Sequence, residues 1–502
     1  MKNYILVTTT NESLDNEIIS LRSSGAQLLT IFANDERSVS NNFKIYAIFL
    51  MKNGDIVELS FFVNSDQSSY NSISRYFPSA NWLEREIFDT FGIKPIDHSD
   101  LRPVINFPDW PKDIFLMRKD FVDKKVDRGI AKDFNFIPVK GEGIFQVPVG
   151  PIHAGIIEPG HFRFFVFGED MINLQAQLFF THRGIEKRLE GLDINDALFH
   201  IERLCGVSSV SHGYAFSKAI ENIYDLHTSK YSEFSRVIIL ELERLYNHIG
   251  DIGNMCAGVG FHFAVSRGAI LKERLQQLNF KYFGHRYLRG IICPGGLNRS
   301  MLFDDEMFVK LDAIEHELIE LFESIRGYEL LLDRFITTGV LPKDVASEMG
   351  ATGVALRASG INFDTRKDIG YSVYPDLKFN IPYQTEGDVY CRFVQRYEES
   401  IESFKIIKQC YENIKKLDNK AFFTDLLEKI KTNTGIGITE TPRGTALHWV
   451  MLDDFGKIFR IHIRSASHRN WMVLPICIPK NIIPDFPLIN KSFELCYSSC
   501  DR

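Results

Sequence analysis

Alternating apolar and polar positions dominate the first 120 residues. Residues 44–51 and 55–63 alternate as β-strands do, and they flank the turn Lys52-Asn53-Gly54. Residues 82–91 instead repeat at helical spacing, and Gly92 is expected to end that helix. The pattern predicts an α+β module over residues 1–120. Prolines and charges then predict a linker over residues 121–148 that wraps the surface.

Residues 149–502 carry mostly helical periodicity. Residues 150–167 contain an apolar, β-favouring run that predicts a strand or hairpin. Apolar positions at helical spacing predict a helix over 173–189, ending at Gly191, and further helices near 235–253, 303–337 and 388–417. The chain is therefore predicted to be multidomain, with the α+β module followed by a mainly α-helical domain that has small β elements.

Charge and composition exclude several classes of protein. The net charge of −7 gives no reason to expect a nucleic-acid partner. No apolar run reaches the roughly 20 residues of a membrane helix, and the first residues turn polar too early for a signal peptide. The expected location is the cytoplasm. Eight cysteines spread over 502 residues form no disulfide framework, so most are expected to be buried thiols.

Chemistry-bearing side chains concentrate between residues 150 and 221. His153, Glu158 and His161 lie near a turn, and a second group lies within roughly four helical turns. That second group is His200, Glu202, Arg203, Cys205, Ser208 and His212. A charged stretch also follows Trp82, and a solvated or interface surface is its expected role. Docking is therefore the predicted task of the first module.

Three long motifs resemble one family. THRGIEKRLEG, ERLCGVSS and TPRGTALHW are similar to the large subunit of energy-converting, group 4 nickel-iron hydrogenases of the hydrogenase-3 and hydrogenase-4 type. They also resemble the related 49-kDa subunit of respiratory complex I. The string NWLEREIFDTFGIKPIDHSDLR resembles the 30-kDa subunit of complex I, so a 30-kDa-type docking domain is expected at residues 1–120. The resemblance implies a domain like the nickel-iron hydrogenase large subunit over residues 149–502.

Both metal-binding motifs of that family are degenerate here. The family carries two C-x-x-C pairs, whereas this chain has Cys205 with Ser208 and Cys496 with Ser499. Nickel prefers soft thiolates, and a serine hydroxyl is a hard ligand that is rarely deprotonated. The resemblance leaves Cys205 and Cys496 as remnant ligands and predicts that their sulfurs lie close together. A residual metal, a redox-active pair and simple packing all remain open as their role.

The resemblance also suggests roles for eight further residues. The implied catalytic residues are Glu158, His153, His161 and Arg443, and the implied cofactor-binding residues are Arg203, His212, Arg357 and Asp364. Neither residue of complex I that holds the quinone head group is present as such. Pro159 falls nearest the histidine position and Gly206 falls at the tyrosine position.

The expected function is that of a redox subunit in a membrane-associated complex related to complex I or hydrogenase, coupling electron transfer to ion translocation without a standard nickel-iron centre. The implied partners are an iron-sulfur small subunit, a ferredoxin-like iron-sulfur subunit and membrane antiporter-like subunits, with the chain peripheral on the inner face of the membrane. The iron-sulfur cluster would lie in the partner, and a quinone is a further candidate ligand. Two alternatives stay open: a non-catalytic coupling subunit, and an active formate hydrogenlyase-type hydrogenase with altered ligands.

Overall fold

The structure is a computed structural model that describes residues 3–122, 126–130, 133–153, 157–426 and 429–502. Its strands form five small sheets, ordered β1-β4-β3-β2, β5-β6, β7-β8-β9, β10-β11 and β12-β13-β14. The strands are β1 Tyr4–Thr9, β2 Gln27–Asp35, β3 Asn42–Leu50, β4 Ile56–Asn64, β5 Ser69–Asn71, β6 Lys94–Ile96, β7 Ile144–Val149, β8 His161–Phe167, β9 Asp170–Gln177, β10 Ile292–Cys293, β11 Gly296–Leu297, β12 Thr434–Thr441, β13 Gly444–Leu452 and β14 Ile458–Arg464.

Helices make up most of the second half of the chain. They are α1 Leu14–Ser23, α2 Arg37–Ser40, α3 Asn81–Phe91, α4 Ile185–Arg188, α5 Ile194–Ile201, α6 Ser209–Tyr224, α7 Lys230–Met255, α8 His262–Phe283, α9 Asp305–Arg326, α10 Glu329–Phe335, α11 Lys343–Glu348, α12 Gly353–Ala358, α13 Val389–Lys415, α14 Ala466–Trp471, α15 Phe486–Phe493 and α16 Tyr497–Asp501. None of the helices in the described ranges is long and apolar enough to cross a membrane.

The first module has the predicted α+β character. β3 and β4 pair in antiparallel register around the predicted turn, and β1 joins β4 in parallel. Helix α3 ends at Gly92, whose φ of +73° is a conformation that glycine adopts without strain. The apolar face of α3 packs on the sheet through Leu83, Ile87 and Phe91. The strand, turn and helix predictions for this region are confirmed.

The charged stretch on α3 is not solvated, so that part of the prediction was wrong. Glu84 is fully buried and accepts hydrogen bonds from the Ser72 hydroxyl at 2.6 Å and the Ile73 N–H at 2.9 Å. Asp89 accepts from the backbone N–H groups of Val104 and Ile105 in the same way. These carboxylates bind backbone donors of turns, which a pattern of charges along a helix does not reveal.

The predicted helix over residues 173–189 was also wrong. Residues 170–177 form β9, which pairs with β8 in an antiparallel hairpin, and only the short helix α4 follows. Phe179 at φ +68° and Gly184 at φ +62° interrupt any helix between them. Leu174, one of the apolar residues that suggested helical spacing, is instead buried in the core from the strand. The predicted helix near 303–337 is likewise divided, at Gly327, into α9 and α10.

The predicted linker at 121–148 lies partly outside the described residues, because positions 123–125 and 131–132 are not described. Its described part has mainly exposed or half-buried positions and ends in β7. Trp110, from the residues just before it, packs into the wall of a cavity described below.

The large domain is built around three long helices. Helix α7 packs against both α8 and α13, and nearly every residue of α7 is buried. Helix α6 lies across β12, where a Cβ on Gly437 would meet the Ala215 carbonyl oxygen at 1.8 Å. Only glycine permits this close approach of strand and helix. The mainly helical architecture with small sheets is therefore as expected.

The first module shares a core with the sheet of the large domain. Phe32 and Tyr46 pack against Trp449, and the Trp449 indole N–H donates to Glu58 at 2.8 Å. The Thr30 hydroxyl pairs with His462 Nε2 at 2.7 Å. Because these aromatic contacts and hydrogen bonds are buried on both sides, the module is fixed to the large domain rather than tethered to it.

Candidate functional site

The two degenerate motifs converge on one pocket. Cys205 follows helix α5 and Cys496 precedes helix α16, and each of the two side chains acts on the pKa of the other. The two side chains therefore interact, as the predicted proximity of the sulfurs requires, and the distance between the sulfurs stays a prediction. We call the group Cys205, Cys496, Ser498 and Ser499 the thiol pocket.

Arg183, from the THRG motif, holds the two walls of the thiol pocket together. Its guanidinium donates to the Leu204 carbonyl at 2.9 Å and to the Ser498 carbonyl at 3.3 Å. One wall comes from the α5–α6 turn and the other from the C-terminal segment, so one side chain spans residues far apart in sequence. A planar guanidinium with several donors suits such bridging.

The two sulfurs have different environments. Cys496 Sγ accepts from the Ser499 N–H at 3.4 Å and lies 3.3 Å from the Ser498 hydroxyl. The hydrogen bond from Cys205, followed by those of the two serines, lowers the pKa of Cys496 to about 6. Burial raises the pKa of Cys205 well above its ordinary value, and its bond to Cys496 acts in the same direction. The pocket therefore favours one thiolate and one thiol, sharing a proton.

This donor set does not fit a nickel-iron centre. Two of the four sulfur positions of the family motif carry Ser208 and Ser499. Cys500 does not substitute for them, because its electrostatic neighbours are Asp501, Arg502, Glu86 and Arg464 rather than the thiol pocket. Across the described ranges, no group of three or more histidine, cysteine or acidic side chains is arranged to hold a metal ion. A four-thiolate site for nickel is absent from this donor set.

Glu158 lies at the mouth of the thiol pocket. Its carboxylate accepts from the Ser498 N–H at 3.0 Å, and its charge acts on Cys496. The side chain is half-buried, so it connects the pocket to solvent. His153 and His161 stand in the same loop region but bond to its own backbone, at the carbonyls of Gly160 and Gly150 respectively. These two histidines therefore stabilise the conformation of the chain on either side of Glu158.

Arg443 lies on the other side of the thiol pocket. It occupies the β12–β13 turn, is 3% exposed, and is close enough to Cys205 for each to act on the pKa of the other. The guanidinium pairs with Asp251 of helix α7, with Nη2 and Oδ1 3.0 Å apart, and also donates to the Glu494 carbonyl. A Cβ on Gly353 would meet the Arg443 carbonyl oxygen at 2.5 Å, so α12 begins directly against this turn. Arg443 is thus a fixed positive charge beside the sulfurs.

Arg357 and Asp364 are not near the sulfurs but belong to a buried ion network. We use this name for Glu241, Arg244, Arg357, Asp364, Arg366, Glu399 and Glu440. Arg357 bonds to Glu399 at 2.8 Å and to Glu440 at 2.9 Å. His248 connects the network to the pocket side, since its Nε2 is 3.0 Å from Glu399 and its Nδ1 is 4.0 Å from Asp251.

The remaining candidates lie apart from the thiol pocket. His212 Nδ1 pairs with His448 Nε2 at 2.8 Å in the core, and burial lowers the pKa of His212 to about 4. Arg203 lies at the surface, stacks on Phe199 with 3.4 Å between guanidinium carbon and ring centroid, and donates to the Phe199 carbonyl. The geometry gives His212 a structural role and places Arg203 at the surface, held against Phe199 and Glu202.

Several residues near the pocket or in the ion network were not named individually as site residues from the sequence. They are Arg183, Glu243, Asp251, Glu399 and Glu440. Burial raises the pKa of Glu243 to about 7, and this carboxylate binds the N–H groups of Val210 and Ser211 at the start of α6. Acidic residues interleaved with apolar ones in a predicted buried helix were the available signal. Their partners lie far away in sequence.

A cavity of about 580 Å³ lies between the first module and the large domain. Its walls are largely apolar, and its floor carries Glu86, Glu186 and Arg502. Arg502 donates to Glu186 at 2.8 Å and to Glu86 at 2.5 Å. His182, which also lines the cavity, has its Nδ1 2.6 Å from the Asp501 carbonyl oxygen. Arg183, which bridges the two walls of the thiol pocket, also lines this cavity.

Comparison with known proteins agrees with this geometry. The model of the respiratory-chain NADH dehydrogenase 49-kDa subunit matches residues 259–434 and 418–502, and that of the 30-kDa subunit matches residues 7–126. The nickel-dependent hydrogenase model matches residues 183–252, which carry Arg183 and Cys205.

Three relatives show how far the similarity extends. Formate hydrogenlyase subunit 5 of Escherichia coli is 30% identical, covering 95% of this chain and 85% of its own length. Hydrogenase-4 component G of the same organism is 29% identical, with 95% and 84% covered. The membrane-bound hydrogenase subunit alpha of Pyrococcus furiosus is 28% identical, with 71% and 87% covered. The chain therefore belongs to the family of energy-converting hydrogenase large subunits, related to the 49-kDa subunit of complex I, with a 30-kDa-type module at its N-terminal side.

Proposed function

We propose that this chain is a redox subunit of a membrane-associated complex of the hydrogenase and complex I type, working without a nickel-iron centre. The observation that carries the proposal is the thiol pocket: it retains two cysteines that act on each other's pKa, with a carboxylate at its mouth and an arginine that interacts with Cys205, yet serines stand at two of the family's ligand positions. The similarity to a formate hydrogenlyase subunit over 95% of the chain supplies the class of complex.

An iron-sulfur subunit is the partner that the surface near the thiol pocket favours. Ile152 and Ile157 are 89% and 45% exposed on the loop that carries Glu158, and Phe199 is 55% exposed on α5 just before Cys205. Exposed large apolar residues grouped around a redox site are typical of a protein interface. A cluster docked here would be within reach of the sulfurs. The ferredoxin-like and membrane antiporter-like partners follow from the family, as does a peripheral place on the inner face of the membrane.

The direct test is purification of the whole complex through a tag on this chain. We expect iron-sulfur and membrane subunits to copurify, and iron and sulfide to be present with nickel well below one atom per complex. Stoichiometric nickel, measured by mass spectrometry of the metals, would instead support the hydrogenase with altered ligands. Copurification without any electron transfer to artificial acceptors would support the non-catalytic coupling subunit.

Glu158→Gln and Arg443→Lys test the chemistry without dismantling the complex. The first removes the ionisable group at the mouth of the pocket but keeps its hydrogen bond from Ser498. The second keeps the positive charge but loses the paired bonds to Asp251. We expect both variants to assemble normally and to turn over at least tenfold more slowly. Full activity in both would contradict a catalytic role for the pocket.

A quinone acceptor is the second candidate, and the cavity between the modules favours it. A largely apolar cavity of about 580 Å³ is large enough for an aromatic head group and part of a tail. His182, on its wall, uses Nδ1 for the Asp501 carbonyl, and within the described residues its Nε2 makes no hydrogen bond to protein. Ile87→Trp would fill the space, and we expect it to abolish quinone-dependent turnover while leaving transfer to artificial acceptors intact. Equal loss of both activities would contradict quinone binding there.

A further inference from the structure

We propose that Glu86 of helix α3 is a positioning residue for the thiol pocket: from the first module, it holds in place residues 496–502, which form one wall of that pocket. The inference rests on the proposed function and deepens it, because it makes the first module, expected only to dock, a part of the redox site. It is carried by the buried bonds of Glu86 to Arg502 and to His468.

Residues 496–502 depend on other elements for their position. Helix α16 has five residues, whereas an isolated helix needs about 12 or more to be stable in water. The start of helix α14 supplies two of its supports. The Ser465 hydroxyl donates to the Ser499 carbonyl at 2.8 Å, and the Cys496 N–H donates to the Ser467 hydroxyl at 3.0 Å. Whatever fixes α14 therefore also fixes Cys496.

Glu86 binds both of these elements at once. Its Oε2 accepts from Arg502 Nη2 at 2.5 Å, and its Oε1 pairs with His468 Nε2. His468 belongs to α14 and Arg502 directly follows α16, so one carboxylate from the first module links the two helices. His468 is 0% exposed and Glu86 is 7% exposed, so water does not compete for these bonds.

The rest of helix α3 supports this contact. Trp82 lies one helical turn before Glu86 and hence on the same face, and its ring meets the His468 imidazole edge-on, with 5.7 Å between centroids. Leu83 and Ile87 of the same helix pack in the core of the first module. Because α3 is anchored on its own sheet, Glu86 is a fixed support rather than a flexible surface side chain.

Loss of the Glu86 charge should loosen the wall that carries Cys496. Arg502 also donates to Glu186 at 2.8 Å, so it would keep one carboxylate, whereas His468 Nε2 would lose its acceptor. A buried polar group without a partner is unfavourable, and a short helix at the edge of a core opens before the core does. A displacement of about 1 Å in a reacting group can slow a reaction on the order of 100-fold.

The test compares Glu86→Gln with the unchanged chain in the purified complex. The first readout is the rate at which iodoacetamide alkylates Cys496 under native conditions, followed by mass spectrometry of its peptide. Cys496 is half-buried while the other seven cysteines are buried, so its rate reports on the position of this wall. We expect alkylation at least fivefold faster. The second readout is electron transfer to artificial acceptors, which should be at least tenfold slower.

Glu84→Gln is the matched control. Glu84 lies on the same helix and is fully buried, but it bonds to the Ser72 hydroxyl and the Ile73 N–H inside the first module. We expect it to lower stability and to leave both readouts unchanged. Glu86→Asp keeps the charge on a shorter side chain. It should change both readouts in the same direction by less, and it replaces Glu86→Gln if that variant does not assemble.

A double variant tests whether Glu86 acts through Arg502. The single variants Glu86→Gln and Arg502→Gln break the same bond, so the increase in Cys496 alkylation in the double variant should be smaller than the product of the single increases. Independent, multiplying effects would overturn the inference. Equal changes in Glu86→Gln and Glu84→Gln would also overturn it, because they would reflect general destabilisation.

The two readouts separate this inference from the proposed function. Slower turnover with unchanged alkylation would overturn the positioning role, because Glu86 would then act in the cavity that it also lines. Faster alkylation in Glu86→Gln, in a complex that transfers no electrons even with the unchanged chain, would overturn the proposed function and support the positioning role.

Discussion

The thiol pocket and the buried ion network lie in the same domain. They differ in whether the residues that each site needs are all present. Every charge in the network has an oppositely charged partner, as with Arg366, which bonds to Asp364 at 2.7 Å and to Glu241 at 3.1 Å. The pocket has serines at two positions where relatives have sulfur. A buried ion pair is strongly destabilising once one partner is lost. Stability therefore constrains the residues of the ion network more strongly than those of the thiol pocket.

The largest expected effect comes from restoring the sulfurs. In the double variant Ser208→Cys, Ser499→Cys, four thiols would stand at the motif positions, and a tetrahedral four-thiolate site binds zinc readily. We expect bound zinc to rise from near zero to about one atom per chain after reconstitution, measured by mass spectrometry of the metals. Ser217→Cys, Ser235→Cys is the matched control, because both serines are fully buried elsewhere. Equal zinc in the two double variants would mean that the motif positions do not converge.

Breaking the network should cost the most stability. Arg357→Ala leaves Glu399 and Glu440 buried without their cation, so we expect a loss of about 3–5 kcal/mol in the free energy of unfolding. Denaturant titration measures it. Arg22→Ala is the control, since the Arg22–Glu348 pair is 42% and 46% exposed and should contribute less than about 1 kcal/mol. Similar losses in both variants would contradict the distinction between buried and exposed pairs.

Glu243 should make stability fall as the pH rises. Burial raises the pKa of this carboxylate to about 7, above its unfolded value near 4.5, so the folded state holds a proton that the unfolded state has released. Its contribution is present below the unfolded pKa and is lost between about pH 4.5 and 7, by on the order of 3 kcal/mol. Glu243→Gln should flatten the unfolding free energy across that window. An unchanged slope would show that another group is responsible.

The smallest expected effect concerns packing in the thiol pocket. Cys205→Ala removes only a sulfur from a site 2% exposed, so we expect a loss of roughly 1 kcal/mol or less in unfolding free energy, measured under reducing conditions. Turnover of the complex should fall much further. A stability loss as large as that of Arg357→Ala would mean that the Cys205 sulfur mainly stabilises the fold and does not take part in electron transfer.

Local patterns determined much of this fold from sequence alone. The strands β3 and β4, the helix α3 with its glycine stop, and the helices α7 and α13 all follow from periodicity and turn residues, because each is specified by its own side chains. The long motifs also identified the family and both degenerate cysteine pairs. Over residues 170–189 the apolar spacing suggested a helix, but residues 170–177 pair with β8 and form a strand instead.

Tertiary structure decided what the charged residues do. Sequence suggested that Glu84, Glu86 and Asp89 face a surface, and only the fold shows them binding backbone N–H groups or Arg502. It also separated Arg357 and Asp364, which stabilise the core, from Glu158 and Arg443, which flank the sulfurs. A charge pattern records that a residue is polar, whereas its role depends on partners hundreds of positions away. Only folding brings those partners into contact.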